Sequence, residues 1–296
     1  MIALKDQVQG RLREHVALAN RCWFQVGGPA DWLFIPEDIE DLELFLRLRP
    51  RELPMFILGV GSNLLVRDGG IEGIVIRLGR GFAQMHAEEN ARLRVGAAAL
   101  DMNVAHYAME QGVGGLEFLS GIPGTMGGAL AMNAGAYGRE IKDVLLEAVA
   151  VDPDGHRHTL RPEQIGFSYR HSGLPEGWVF TEALLQGEYV EKDIIAARMQ
   201  KISEDRSNAQ PVKARTGGST FTNPPGQKAW QLVDAAGCRG LAMGGAQVSE
   251  KHTNFMINNG TATAAELEAL GEEVRRRVKE SSGVELHWEI KRIGRP

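Results

Sequence analysis

Residues 121–138 read Gly-Ile-Pro-Gly-Thr-Met-Gly-Gly-Ala-Leu-Ala-Met-Asn-Ala-Gly-Ala-Tyr-Gly, with six glycines and no charge. Glycine lets main-chain N–H groups approach a ligand with no Cβ in the way. A run of such donors opening into a small-residue helix suits an anion. The segment predicts a nucleotide or dinucleotide laid against backbone. A second loop, Gly59-Val60-Gly61-Ser62-Asn63, follows a short apolar run at a strand end, where ligands are commonly held. Gly27-Gly28-Pro29-Ala30 reads as a structural turn.

Neither common nucleotide motif fits. Leu64 stands where a G-x-G-x-x-G begun at Gly59 needs its last glycine, and no G-K-[ST] occurs. Three polar segments could act on a bound ligand. In Phe167-Ser168-Tyr169-Arg170-His171-Ser172, a lone Arg reads first as a surface ion-pair partner. Arg170 gains a role if its guanidinium fork faces the glycine loops, where it suits a carboxylate or phosphate. In Gly217-Gly218-Ser219-Thr220-Phe221-Thr222-Asn223-Pro224, Phe221 occupies the last glycine of a G-x-S-x-G, so a nucleophile elbow is disfavoured. A Ser or Asx turn and a hydroxyl presented to a ligand both remain open there. In Gly244–Phe255, Lys251 and His252 are candidates for an anionic substrate, and a surface turn is an equal reading. The histidines show no HExxH or other metal spacing, so no metal is expected.

Composition narrows the classes. The chain has 296 residues, 43% hydrophobic and 24% charged, which suits a globular protein of two or three domains. Its 36 glycines exceed the usual share of ~7%. They cluster around the loops above rather than in low-complexity tracts. A net charge of -5 argues against nucleic acid as partner. Cys22 and Cys238, far apart, give neither a disulfide framework nor zinc spacing and fit a reducing cytoplasm. Residues 1–15 lack an apolar signal-peptide core. Pro123, Asn133 and the glycines make 118–138 a poor membrane span.

The elements that position these segments follow from periodicity. Ile39, Leu42, Phe45 and Leu46 predict a helix over 38–48; Met55–Val60 and Ile74–Leu78 predict strands. A middle lobe, α+β with largely antiparallel pairing, is expected from strands at 92–96, 144–151 and 178–185, a helix at 101–111 and a hairpin turn at Asp152-Pro153-Asp154-Gly155. Asp193–Asp205 predicts a helix burying Ile195, Met199 and Ile202. Thr263-Ala264-Ala265-Glu266 is a capping box opening a helix with Leu267, Leu270, Val274 and Val278 inward. Residues 284–290 alternate strictly and predict a strand, with Glu285, His287 and Glu289 on its polar face.

Taken in order, these motifs resemble the UDP-N-acetylenolpyruvoylglucosamine reductase family of flavoenzymes, which make UDP-N-acetylmuramate for bacterial peptidoglycan. The carrying residues are Arg21 with Val26–Ala30, Gly59–Val66, Gly115-Leu116-Glu117, Gly121–Gly128, Asn133–Gly138, Tyr169-Arg170, Gly218-Ser219 with Asn223-Pro224, and Gly244–Gln247. The resemblance spans about residues 20 to 294 and points to the type II branch. Tyr169–Pro175 leads almost directly into the next strand, without the extra tyrosine-bearing loop of type I.

The resemblance implies an α+β fold: a two-lobed FAD-binding domain of the vanillyl-alcohol oxidase (PCMH) type and a C-terminal α+β substrate-binding domain. The expected divisions are 1–82, 83–200 and 201–296. It implies non-covalent FAD held by Gly59, Gly61, Ser62, Asn63, Leu64, Gly121, Pro123, Gly124, Thr125, Gly127, Gly128, Asn133, Gly135 and Ala136. It implies NADPH as co-substrate and a UDP-sugar contacted by Tyr169, Gln210, Asn223, Gln247 and Lys251. Hydride would pass from flavin N5 to C3 of the enolpyruvyl group. Arg170 and Glu289 would stabilise the enolate-like charge, and Ser219 would protonate C2. Glu289 would have to be protonated or paired, because a bare carboxylate opposes an anion. A cytoplasmic monomer is expected.

Some positions depart from the family. Gln210 stands where some members carry Lys, Trp23-Phe24 replaces a Thr-containing pair, and His287 stands where glutamate is commoner. Two other readings stay open on the residues alone: another FAD-linked oxidoreductase of the same flavin scaffold, and a flavin- or nucleotide-binding module without chemistry.

Overall fold

The computed structural model describes residues 1–296, apart from the side chain of Ala3. The chain forms two compact units. The first comprises Met1–Arg13, Trp32–Gly59 and Gly73–Asp205, and the second Glu14–Asp31, Val60–Glu72 and Arg206–Pro296.

In the first unit, helix α1 (Ile39–Leu48) starts where Asp38 caps it, its carboxylate accepting from Asp41 N at 2.9 Å. Leu42, Phe45 and Leu46 are fully buried, and Phe45 stacks on Phe34 with ring centroids 3.9 Å apart. Asp41 faces inward instead of outward. Its carboxylate accepts from Gln9 N, Gly10 N and Glu37 N at 2.8, 2.8 and 3.1 Å, which compensates its burial. Both expected strands form, as Met55–Ile57 and Ile71–Ile76, and they pair in parallel with Phe56 opposite Val75.

The middle lobe is a five-stranded sheet in the order Arg157–Leu160, Leu145–Val151, Val179–Gln186, Arg92–Gly96, Met85–Glu88. Every pairing in it is antiparallel. The Asp152 turn closes its first hairpin: Asp152 Oδ1 accepts from both Asp154 N and His156 N at 2.9 Å. Helices α2 (Asp101–Glu110), α3 (Met126–Met132) and α4 (Pro162–Ile165) join this sheet's core, as does α5 (Lys192–Ala209), which buries Ile195, Met199 and Ile202. This unit holds two apolar clusters, one around Phe34, Phe45 and Val179, the other around Leu93, Leu130 and Leu185.

The second unit has its own core, including Phe24, Phe221, Leu267 and Leu286. Its helices are α6 (Ala229–Ala235) and α7 (Ala264–Ser282). The capping box forms: Thr263 Oγ1 accepts from Glu266 N, and Glu266 Oε2 accepts from Thr263 N, both at 3.1 Å. Strands Ala242–Met243, Ala246–Val248 and Met256–Asn258 form an antiparallel sheet, and Leu64–Val66 pairs in parallel with Lys291–Ile293.

The strand expected over 284–290 is not formed. The regular strand is Lys291–Ile293, and the earlier stretch has one isolated bridge, Phe221 to Trp288. Leu286 and Ile290, on the apolar side of that alternation, are buried. The reason the strand is not formed is a bulge. Glu289 N and Ile290 N both donate to Thr220 O, at 2.8 and 3.4 Å, so two residues oppose one and strict alternation ends. Among the described residues, no helix is long and apolar enough to cross a membrane.

Candidate active site

Within the first unit, residues 97–101 run beside 124–127. Asp101 N donates to Gly124 O at 3.1 Å, Met126 N to Ala99 O at 2.9 Å and Gly127 N to Ala97 O at 2.8 Å. Two amides at the start of α3, among them that of Gly127 expected at the cofactor, are therefore engaged by the protein itself. An anion on this loop would be held by amides outside that pair. The two glycine loops meet at Thr125. A Cβ on Gly59 would lie 2.9 Å from Thr125 Oγ1, and one on Gly128 would lie 3.6 Å from it. A side chain at Gly59 would fill that approach, so the geometry fits a phosphate cradled against backbone. Pro123 and Gly124 lead into Thr125, the N-cap of α3. Gly121 packs against Tyr137, whose ring would be 2.7 Å from an added Cβ.

Asp101 is a surprise beside this loop. It is fully buried, and neither carboxylate oxygen has a hydrogen-bond partner among the described residues. Burial pushes its carboxyl well above the ordinary value.

Asn133 ends α3 in the left-handed conformation, φ 40°, and is fully buried. Its Nδ2 donates to Glu140 Oε2 at 3.0 Å and to Ser168 O at 3.1 Å, and its Oδ1 accepts from Lys142 N at 3.1 Å. The side chain expected at the cofactor thus organises the surrounding loops. Gly135 and Ala136 pair with Glu140 and Arg139.

Ser168 and His171 exchange main-chain hydrogen bonds, which puts Tyr169 and Arg170 at the tip of a tight turn. Arg170 has φ 56°, a conformation an L side chain holds at a cost of about 1–3 kcal/mol. Its Nη2 donates to Gly135 O at 3.1 Å, and its guanidinium lies 5.1 Å from the Tyr169 ring centroid. Arg170 is thereby joined to the glycine-rich segment.

The second unit contains Gly61, Ser62, Asn63, Leu64, Ser219 and Glu289. Asn63 Nδ2 donates to Glu289 O at 3.2 Å, while Asn63 O accepts from Lys291 N at 3.1 Å. Gly218 approaches Ser62, with an added Cβ 3.9 Å from Ser62 O. Ser219, half-buried, bridges to Phe255. Thr220 is clamped on both sides: its N donates to Asn254 O at 2.7 Å and its O receives the bulged Glu289 N. Asn254, buried, closes the clamp through Phe221, accepting from its N at 3.0 Å and donating to its O at 2.8 Å. The reading of motifs missed Asn254 and Thr220. Both are local polar residues whose partners are distant in sequence, so no spacing signalled them.

The expected substrate residues are spread over this unit, apart from Tyr169. Gln210 accepts from Arg206 Nε at 3.2 Å, and Lys251 Nζ donates to Ser207 O, so both attach to the end of α5. Asn223 Oδ1 accepts from Ala229 N at 3.0 Å, satisfying the first amide of α6. Gln247 accepts from Asn259 Nδ2 at 3.1 Å. The surroundings of His252 favour its neutral form. Burial lowers its pKa, its ring centroid lies 4.8 Å from that of Phe255, and its Nδ1 accepts from Asn254 N at 3.3 Å. Among the described residues no group of three or more His, Cys, Asp or Glu is placed to hold a metal ion.

Comparison with known proteins adds independent findings. Residues 30–161 match the model of the FAD binding domain, and 210–293 that of the UDP-N-acetylenolpyruvoylglucosamine reductase C-terminal domain. The chain is 59% identical over 292 residues to the UDP-N-acetylenolpyruvoylglucosamine reductase of Rhodospirillum rubrum, covering 97% of this chain and 91% of that one. It is 55% identical to that of Azorhizobium caulinodans, covering 100% and 96%. The crystal structure of the Thermus caldophilus reductase superposes with a TM-score of 0.84 at 38% identity, covering 96% of this chain and all of that one.

Proposed function

The chain belongs to the UDP-N-acetylenolpyruvoylglucosamine reductase family and carries its FAD-binding domain, and from that premise we propose how its residues divide the reaction. The substrate is the enolpyruvyl ether of UDP-N-acetylglucosamine, and the product UDP-N-acetylmuramate serves peptidoglycan precursor synthesis. NADPH is the proposed electron source. Bound FAD supplies the hydride that reaches C3 of the enolpyruvyl group.

The cofactor is assigned to Gly59, Gly61, Ser62, Asn63, Leu64, Gly121, Pro123, Gly124, Thr125, Gly127, Gly128, Asn133, Gly135 and Ala136. For Asn133 and Gly127 the assignment is through the backbone they shape, since the Asn133 side chain and the Gly127 amide already have protein partners. Arg170 faces the negative charge that spreads from C2 into the substrate carboxylate. Ser219 Oγ donates its proton to C2. A hydroxyl is an ordinary weak acid, but a carbanionic carbon is a strong base, and a positioned donor contributes about 10²–10⁴-fold. Glu289 assists only in its protonated or paired form. Tyr169, Gln210, Asn223, Gln247 and Lys251 are assigned to the UDP-sugar.

The observation that carries this reading is the hydrogen bond from Glu289 N to Thr220 O, next to Ser219. It joins the main chain of the two proposed proton-handling segments. The division 1–82, 83–200 and 201–296 is proposed from the family alone, because the apolar clusters cross it: Phe24, Val26 and Leu65 pack with residues of 221–290, and Val151 and Val179 with Phe34 and Phe45. A cytoplasmic monomer completes the proposal. The test is a flavin absorption spectrum of the purified protein, followed by NADPH oxidation with and without the enolpyruvyl nucleotide. A colourless protein that cannot be loaded with FAD would overturn the proposal.

A further inference from the structure

Glycine is a poor helix former, so Gly271 inside α7 calls for a packing reason. Trp288 supplies it. A Cβ on Gly271 would come within 2.2 Å of Trp288 Cη2 and 2.3 Å of Cζ2, so the indole lies directly on the helix backbone. The other sides of the ring are also held. Trp288 Nε1 donates to Glu272 Oε1 at 2.8 Å. The Arg292 guanidinium lies 4.6 Å from the ring centroid, and its Nη1 donates to the same Glu272 oxygen at 2.9 Å and to Glu268 Oε1 at 3.0 Å. Arg275 fixes the second Glu272 oxygen at 2.6 Å. Phe221 meets the indole with centroids 5.4 Å apart, where the two residues form their backbone bridge.

Glu289 follows immediately, at the bulge on Thr220. A bulge interrupts the ladder locally, so side-chain contacts of the adjacent residue share in fixing the chain there. We propose that Trp288 is a positioning residue for the reduction: seated on Gly271 and clamped by Glu272 and Arg292, it fixes Glu289 against the Ser219-Thr220 segment. This rests on the roles proposed above for Ser219 and Glu289. Trp288 touches neither substrate nor cofactor in this account; it acts through the backbone of its neighbour.

The test compares Gly271→Ala, Glu272→Leu, Glu272→Gln and Trp288→Phe with wild type, using circular dichroism to establish folding. Flavin reduction by NADPH is followed alone, and kcat and KM are then measured with the enolpyruvyl nucleotide. Displacing the ring should lower kcat by about 10–100-fold, since a misplacement on the order of 1 Å can cost ~10²-fold. KM and the flavin reduction rate should change by less than about twofold. Glu272→Gln keeps an oxygen acceptor for the indole and should retain more kcat than Glu272→Leu. If Gly271→Ala does not fold, Glu272→Leu carries the test, because it leaves the ring's seat intact. An active wild type with folded variants of unchanged kcat overturns this inference alone. Losses shared equally by flavin reduction, KM and kcat also overturn it, because they mark a general structural role. A flavin-loaded wild type that does not reduce the enolpyruvyl nucleotide overturns the functional reading, and this inference with it.

Discussion

Asn63 donates from its carboxamide to the main-chain oxygen of Glu289 at 3.2 Å, and its own carbonyl accepts from Lys291 N at 3.1 Å. One residue of a glycine loop thus brackets Ile290, and one of its two bonds falls on the main chain of the residue proposed to assist protonation. Asn63→Ala removes only the first bond, worth about 1 kcal/mol of stability. The expected result is a small fall in melting temperature with a larger fall in kcat. A variant with unaltered kcat would show that the bracket does not matter to turnover.

Gly59 sets the approach between the two glycine loops, because a Cβ there would lie 2.9 Å from Thr125 Oγ1. Gly59→Ala should push the loops apart and weaken FAD binding by roughly tenfold or more, about 1.4 kcal/mol. Fluorescence titration of apoprotein with FAD measures it. Unchanged affinity would remove Gly59 from the cofactor set.

Contacts of this kind join residues far apart in sequence and carry no local signal. The capping box at Thr263 and the apolar stripe of α7 were legible because helix signals are local, and their partners lie within one or two turns. The engagement of Met126 N and Gly127 N by Ala99 and Ala97 was not legible, since it depends on which distant backbone lies alongside. Glu289 illustrates the same limit. Its neighbours alternate like a strand, yet its geometry is set by Thr220, far away in sequence. Family resemblance named Arg170 and Ser219, but the strained turn and the Asn254 clamp came only with the fold.

Asn133 is fully buried and uses both ends of its carboxamide. Asn133→Ala leaves those partners unmet and loses the residue type that tolerates φ 40°. A destabilisation of about 2–4 kcal/mol is expected. Urea denaturation checks it; a loss below about 1 kcal/mol would contradict the structural role.

Asp101 makes stability depend on pH. Its folded-state pKa lies well above the ordinary 3.8, because burial penalises the charged form. Between those values the native state binds more protons than the unfolded state. Stability contributed by this group therefore falls as pH rises above about 4 and levels off beyond the folded pKa. Asp101→Asn should remove that slope, so its stability relative to wild type rises with pH across the window. Denaturation midpoints at a series of pH values test this, and parallel curves for the two proteins would contradict it.

The central claim is that Ser219 gives the proton that completes reduction of the enolpyruvyl group. Ser219→Ala, loaded with FAD, should be reduced by NADPH at the wild-type rate. Its turnover with the enolpyruvyl nucleotide should fall by about 10²–10⁴-fold. Stopped-flow absorbance of the flavin, followed first with NADPH and then with the nucleotide, separates the two steps. Fast reduction followed by slow reoxidation is the predicted result; reoxidation at the wild-type rate would contradict it.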